Sequence, residues 1–178
     1  MRVENYITRR SGLKLDCGSG FSLLELIMVI SIAAILVAMA APSMARFFDR
    51  EKIASLSDEF RSTVALVRSI AIKSGVPVVL CASDNGTACG GQWSKGWYAF
   101  RDDDGDSTFD ATEPVVLRNK SDSAATQLSV KAPTGADIGF ISFNYRGSPG
   151  TTVSVSVSRG EQDYAMNITP FGKLRPDD

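Results

Sequence analysis

The chain has 178 residues, of which 44% are hydrophobic and 22% charged, with 19 basic and 20 acidic side chains. That length holds one domain and a membrane segment, and hardly two domains. It contains no histidine. This removes the usual general base, the Ser–His and Cys–His nucleophile pairs and the commonest transition-metal ligand. An enzyme would have to rely on carboxylates or lysine; no constellation of them stands out, and no enzyme is expected.

Residues 1–20 carry Arg2, Arg9, Arg10 and Lys14 against Glu4 and Asp16. Without them 15 of the 19 basic and 18 of the 20 acidic residues remain, a net charge of −3 in place of −1. Such an average gives no support to non-specific nucleic-acid binding, which rests on neutralising phosphates. A local basic patch would be needed.

From Phe21 to Ala41 runs FSLLELIMVISIAAILVAMAA, with Glu25 as its one ionisable group. A helix of that length spans roughly 30 Å, the thickness of a bilayer's hydrocarbon core. A chain this small could not cover a helix that is apolar all round. A secretory signal has a shorter apolar region followed by a small-residue cleavage site. Met39-Ala40-Ala41 could mimic such a site, so a cleaved signal is the alternative.

Pro42 should kink the helix rather than stop it. Beyond it Ile53, Leu56, Phe60, Val64, Val67 and Ala71 form one stripe at helical spacing. Arg50, Asp58, Arg61 and Arg68 lie mostly off that stripe. The helix should end near Ser74-Gly75, with glycine as its cap and Pro77 beyond.

The remainder reads as short strands over Val76–Cys81, Gly96–Arg101, Pro114–Arg118, Gln127–Lys131, Gly139–Asn144, Thr152–Ser158 and Tyr164–Thr169. Val153, Val155 and Val157 alternate with Ser154, Ser156 and Ser158, as in a half-buried strand. Turn residues such as Asp84-Asn85-Gly86, Gly90-Gly91, Asp104-Gly105 and Arg159-Gly160 separate the runs. The expected fold class is α+β, a long helix packed on an antiparallel β-sheet head. Cys81 and Cys89 lie eight apart in a Gly-, Ser- and Asn-rich segment. A local disulfide is the simple reading in an oxidising compartment, and two unrelated buried thiols the other. Trp93 and Trp97 bracket Gly96 and read as core or turn packing, or otherwise as a subunit contact.

Gly20-Phe21-Ser22-Leu23-Leu24-Glu25 resembles the cleavage motif of type IV prepilins. The resemblance implies that a prepilin peptidase cuts after Gly20 and methylates Phe21. It divides the chain into a leader (1–20), a transmembrane helix (21–41), its amphipathic continuation (42–75) and a β-rich periplasmic head (76–178). The implied location is the inner membrane, single-pass, with a pilus or pseudopilus after assembly. Orientation rests on this resemblance and on the cysteine pair. The flanking charges, four basic residues before the span against Arg46, Arg50 and Lys52 after it, bias it only weakly. A carboxylate within a membrane helix costs about a few kcal/mol or more, so Glu25 needs a partner. In a filament of parallel helices the N-terminal ammonium of a neighbouring pilin can supply it; in the monomer, snorkelling near the helix end is the alternative.

Val78–Cys81, Gly90-Gly91-Gln92-Trp93-Ser94-Lys95-Gly96-Trp97 and Glu113-Pro114-Val115-Val116-Leu117-Arg118 resemble the GspH/FimT family of minor pilins and pseudopilins. The cysteine pair and the tryptophan-glycine stretch are more similar to the FimT/FimU-like side, in type IV pili, than to the GspH branch of type II secretion. The partners implied are other pilins or pseudopilins, the peptidase, the membrane and, for FimT-like members, DNA taken up at the pilus.

Two segments carry candidate ligands. Residues 102–113 resemble an EF-hand calcium loop, with Asp102, Asp104, Asp106, Asp110 and Glu113 at positions 1, 3, 5, 9 and 12 and the Thr108 carbonyl at position 7. Position 6, where a sharp turn wants glycine, is Ser107. A solvated acidic loop without metal is the alternative. Near the C-terminus, Gly172-Lys173-Leu174-Arg175 is similar to the Gly-Arg-x-Arg tail that binds DNA in some FimT-like pilins. Lys173 replaces the first arginine and lacks its planar fork. Alternate spacing puts Lys173 and Arg175 on one face of an extended strand, followed by the opposing charges of Asp177 and Asp178. A basic edge that guards a terminal strand is the alternative.

Overall fold

The computed structural model describes residues 20–121 and 125–177. The leader therefore lies outside the described residues, Gly20 excepted. The chain divides into two compact units at the Ala41–Pro42 boundary.

Helix α1 (Leu23–Ser74) begins at Ser22, whose Oγ accepts the Glu25 amide N–H at 3.3 Å. A serine three residues before a glutamate is the pattern of a capping box. From Gly20 to Ala40 every residue is exposed, and the mean hydropathy over an 18-residue window is 2.7. By length and composition this segment can cross a membrane. Residues 41 and 42 are themselves helical, so Pro42 does not stop the helix.

In the second unit the expected stripe is the buried one. Ile53, Leu56, Phe60, Val64, Val67 and Ala71 are each 5% exposed or less. The helix stops at Ser74, and Gly75 takes a left-handed φ of 70° while its N–H donates to the Ala71 carbonyl. That is the expected glycine cap.

All seven expected strands are present: β1 (Val78–Ala82), β2 (Gly96–Arg101), β3 (Val115–Lys120), β4 (Gln127–Lys131), β5 (Phe140–Phe143), β6 (Val153–Arg159) and β7 (Gln162–Ile168). An eighth, β8 (Leu174–Pro176), falls where Lys173 and Arg175 were expected on an extended strand, whereas the short 3-10 turn over Trp93–Lys95 was not expected. The strands form two antiparallel sheets rather than one, in the orders β3-β2-β1-β5 and β4-β6-β7-β8.

One core joins both sheets to α1. Val78, Leu80, Trp97, Ile141 and Phe143 from the first sheet meet Val130, Val155, Val157, Met166 and Ile168 from the second around the helix stripe. On β6 the valines face this core and the serines face out. Phe60 makes edge-to-face contacts with Trp93 (5.9 Å) and Trp97 (5.4 Å). The indole N–H of Trp93 donates to the Ile138 carbonyl and that of Trp97 to Thr63 Oγ1. Both tryptophans are therefore core residues, of the two readings open for them.

The first sheet is buried on its second face too, where Val79, Cys81, Tyr98 and Phe100 pack under Phe109 of the acidic loop. This explains why β1 is buried at every residue instead of alternating.

Polar clamps hold the helix to the sheets. Arg159 bridges Asp49 at 2.7 Å and reaches Thr126, Asn119 donates to Glu59, and Arg68 donates to the carbonyls of Gly147 and Phe171.

Candidate functional site

Four places in the chain carry candidate functional residues, and the first is the apolar start of α1. Between Phe21 and Arg46 the sequence holds one ionisable side chain, Glu25. It stands in the first turn, where exposed backbone N–H groups and the helix dipole favour a negative charge. Sequence reading missed this cap, although Ser22-x-x-Glu25 was there to find. Phe21 is 80% exposed beside Gly20, where a Cβ would meet no atom of the described residues within 4 Å.

The second is the disulfide corner. Cys81 and Cys89 are joined, with their Cα atoms 5.4 Å apart. Asp84 organises the same loop by accepting the Gln92 amide at 2.8 Å and the Lys95 ammonium at 3.1 Å. The amide first, then the ammonium, holds its carboxyl below the ordinary carboxylate range.

The third is the acidic loop between β2 and β3. The structure gathers Asp102, Asp104 and Asp106, whose ligand oxygens lie within 4.8 Å of one another. Ser107 takes the positive φ of 61° that position 6 of a calcium loop demands, the one non-glycine to do so among the described residues. Its amide donates to Asp102 Oδ2, and that of Gly105 to Asp102 Oδ1.

Asp110 and Glu113 are not gathered into that group. Glu113 accepts the Asp103 and Asp110 amides, one on each oxygen, and Asp110 accepts the Thr112 hydroxyl and amide. The Thr112 hydroxyl, followed by its amide, keeps Asp110 below the ordinary range, as the Arg101 guanidinium does for Asp103. Thr108 donates its own amide to Asp106 Oδ1 at 2.6 Å. The loop thus gathers Asp102, Asp104 and Asp106 toward one point while each also accepts a loop amide, and Asp110 and Glu113 hold the backbone outside that group.

Near the C-terminus, Thr169-Pro170-Phe171-Gly172 turns β7 into β8. The Gly172 amide donates to the Thr169 carbonyl, and Gly172 takes a φ of 76°. A Cβ there would overlap the Gly147 carbonyl and the Arg68 guanidinium. Leu174 packs on the core, while Lys173 and Arg175 on either side of it are exposed. The alternation expected for that pair is present.

A groove of about 370 Å3 between α1 and β7 is lined by Arg50, Ile53, Ser57, Asp58, Arg61 and Tyr164, among others. The Arg61 guanidinium bonds the Tyr164 hydroxyl. No nucleophile there is paired with a base, since the Ser57 hydroxyl donates to its own helix at Ile53.

Residues 56–172 match the family model described as type II transport protein GspH. The chain belongs to this GspH family. Among solved structures, the type IV minor pilin FimU of Pseudomonas aeruginosa PAO1 shares the fold. It is 16% identical, with 74% of this chain and 92% of that chain covered at a TM-score of 0.54. The minor pseudopilin EpsH from the type II secretion system of Vibrio cholerae is a weaker match, 13% identical, with 70% and 94% covered at a TM-score of 0.49. No curated protein sequence matches the chain.

The GspH family comprises minor pilins and pseudopilins of type IV pili or type II secretion, which are structural subunits and not enzymes. This chain has the α+β pilin-like fold, with its long N-terminal helix packed on antiparallel sheets. Pilin-family proteins assemble with other pilins or pseudopilins.

Proposed function

We propose that the chain is a minor pilin that joins, primes or caps a type IV pilus through its N-terminal helix. In this reading the leader 1–20 is removed after Gly20, Phe21 is methylated, and 21–41 anchors the protein in the inner membrane with the head in the periplasm. The observation that carries it is an exposed apolar helix start with the single acid Glu25, attached to a GspH-family head. Packed against its like in a fibre, that surface exchanges lipid for neighbouring helices and Glu25 meets a neighbour's terminal ammonium. Glu25→Val in the full chain should prevent co-purification with sheared fibres while the head melts as wild type. Undiminished incorporation of that variant would contradict the proposal.

The second reading is a pseudopilin of type II secretion. The tryptophan-glycine stretch and the Cys81–Cys89 disulfide favour the pilus. Deletion of the gene separates the two, by loss of pilus-dependent traits or of protein export.

Two ligands complete the proposal. Lys173 and Arg175 contact DNA for uptake, supported by the exposure of both on either side of the core-packed Leu174. Asp102, Asp104 and Asp106 begin a calcium site, supported by their convergence and by the left-handed Ser107. Calorimetric titration of the full chain in detergent should show heat with millimolar calcium. Silence there would dismiss the metal.

A further inference from the structure

Part of this chain carries basic residues without acidic ones, and the fold brings that part together. Residues 60–83, 138–160 and 164–176 are three of the stretches that contain no carboxylate. The end of α1, the β5–β6 loop and the β7–β8 hairpin come from these three, and they converge. Arg68 donates from the helix to Gly147 in one loop at 2.8 Å and to Phe171 in the other at 3.3 Å. Ser148 donates its hydroxyl to the Pro170 carbonyl, and Gly172 sits against Gly147 so closely that no side chain fits between.

On this rigid junction stand two exposed aromatic rings and three exposed cations. Phe171, at the hairpin tip, is 80% exposed, and Tyr145 is 52% exposed with the Arg146 guanidinium 5.2 Å from its ring centre. Lys173 and Arg175 follow Phe171 along the edge strand. The nearest acid in sequence, Asp177, is engaged by Asn167 at 2.8 Å. The acidic loop leaves from β2, on the far side of β1 from β5.

We propose that this end of the head binds single-stranded nucleic acid, with Tyr145 and Phe171 as platforms for unpaired bases and Arg146, Lys173 and Arg175 as phosphate contacts. It rests on the DNA-binding reading above and specifies the form of the ligand. A cluster of cations alone would suit any polyanion. Phe171 has no group that can contact a phosphate, and in a duplex the base faces are already stacked on each other. Exposed rings among cations are useful to a strand whose bases are free, because every base offers a face to stack on. The contacts that pin Gly147, Ser148 and Phe171 fix the backbone from which the rings project before any ligand arrives, which lowers the ordering cost of binding.

The test is fluorescence anisotropy with the full chain in detergent, comparing an oligothymidylate of about 12 nucleotides with a duplex of equal charge. Tyr145→Ala/Phe171→Ala should weaken oligothymidylate binding about tenfold or more, leaving duplex binding and the salt dependence unchanged. Phe171→Leu, which keeps the bulk and loses the ring, should share most of that loss. Lys173→Ala/Arg175→Ala should weaken both forms and flatten the single-strand salt slope by about 1.4. If the aromatic variant binds oligothymidylate as well as wild type, the stacking proposal is wrong while the DNA reading survives. Heparin binding as tightly as oligothymidylate would likewise reduce the site to a generic polyanion patch. If wild type binds neither form, and the same variants impair fibre assembly, the surface belongs to a partner subunit and both readings fall.

Discussion

Between Leu23 and Ala40, α1 presents apolar side chains on every side and all are exposed. Between Ile53 and Ala71 the same helix confines them to one stripe, and the stripe is buried to 5% exposure or less. Helical periodicity alone distinguishes the two halves. A striped helix can satisfy its apolar surface against one neighbour, here two sheets. A helix that is apolar all round needs an apolar medium on every side, a bilayer or a bundle of like helices. The second half therefore stabilises the fold, whereas the first is committed to a surrounding that the head does not supply.

Paired substitutions can break that comparison. Phe60→Ala removes a fully buried ring from between Trp93 and Trp97 and should cost the head about 3–5 kcal/mol. Ile30→Ala, in the exposed half, should leave the head's melting temperature unchanged. The chain's two tryptophans both lie in the core, so their fluorescence reports head unfolding in detergent. Equal effects from the two substitutions would erase the distinction.

Cys81→Ser/Cys89→Ser should lower stability by about 2–3 kcal/mol, the entropy of closing so short a loop. Reducing agent should reproduce the shift in wild type and leave the variant unmoved. Gly172→Ala should cost about 2 kcal/mol, because it forces an L side chain into φ 76° against the Gly147 carbonyl. Its melting curve, measured with the tryptophan signal, should fall below that of Gly150→Ala, where φ is 78° but nothing lies within 4 Å.

The smallest expected effect is on acid stability. Asp84, Asp103 and Asp110 have folded-state pKa values below their unfolded ones. Their contribution is therefore complete above about pH 4 and is lost as pH falls through the lowered folded values. All three are solvent-exposed, so the loss should be slight. Asp103→Asn/Asp110→Asn should lower the melting temperature slightly at pH 7, where the wild type has the full contribution, and that difference should close as pH falls below about 4.

The helix stripe, its glycine cap and the seven main strands were legible because period and turn chemistry are local. Ser154, Ser156 and Ser158 mark an outer face without reference to any partner strand. The division into two sheets was not legible, since it depends on which strands pair across long stretches of sequence. Strand β8 showed only as the alternation of Lys173 and Arg175, because it has three residues, ends in Pro176 and owes its pairing to the hairpin at Gly172.

At the candidate sites, residue identity was readable and convergence was not. The aspartates of the acidic loop announce themselves, yet only the fold shows Glu113 turned to the Asp103 and Asp110 amides and Phe109 covering Tyr98. Likewise Lys173 and Arg175 stand out in the sequence. Arg68 lies more than 100 residues away from them, and nothing local marks it as the brace between two loops.

Intact-mass spectrometry of the protein taken from its native membranes tests the central claim most directly. The mature chain should begin at Phe21, carry one added methyl group and retain its helix. A product that starts beyond Ala41 and stays in the soluble fraction would show that the apolar segment is discarded on export, contradicting its role as an assembling anchor.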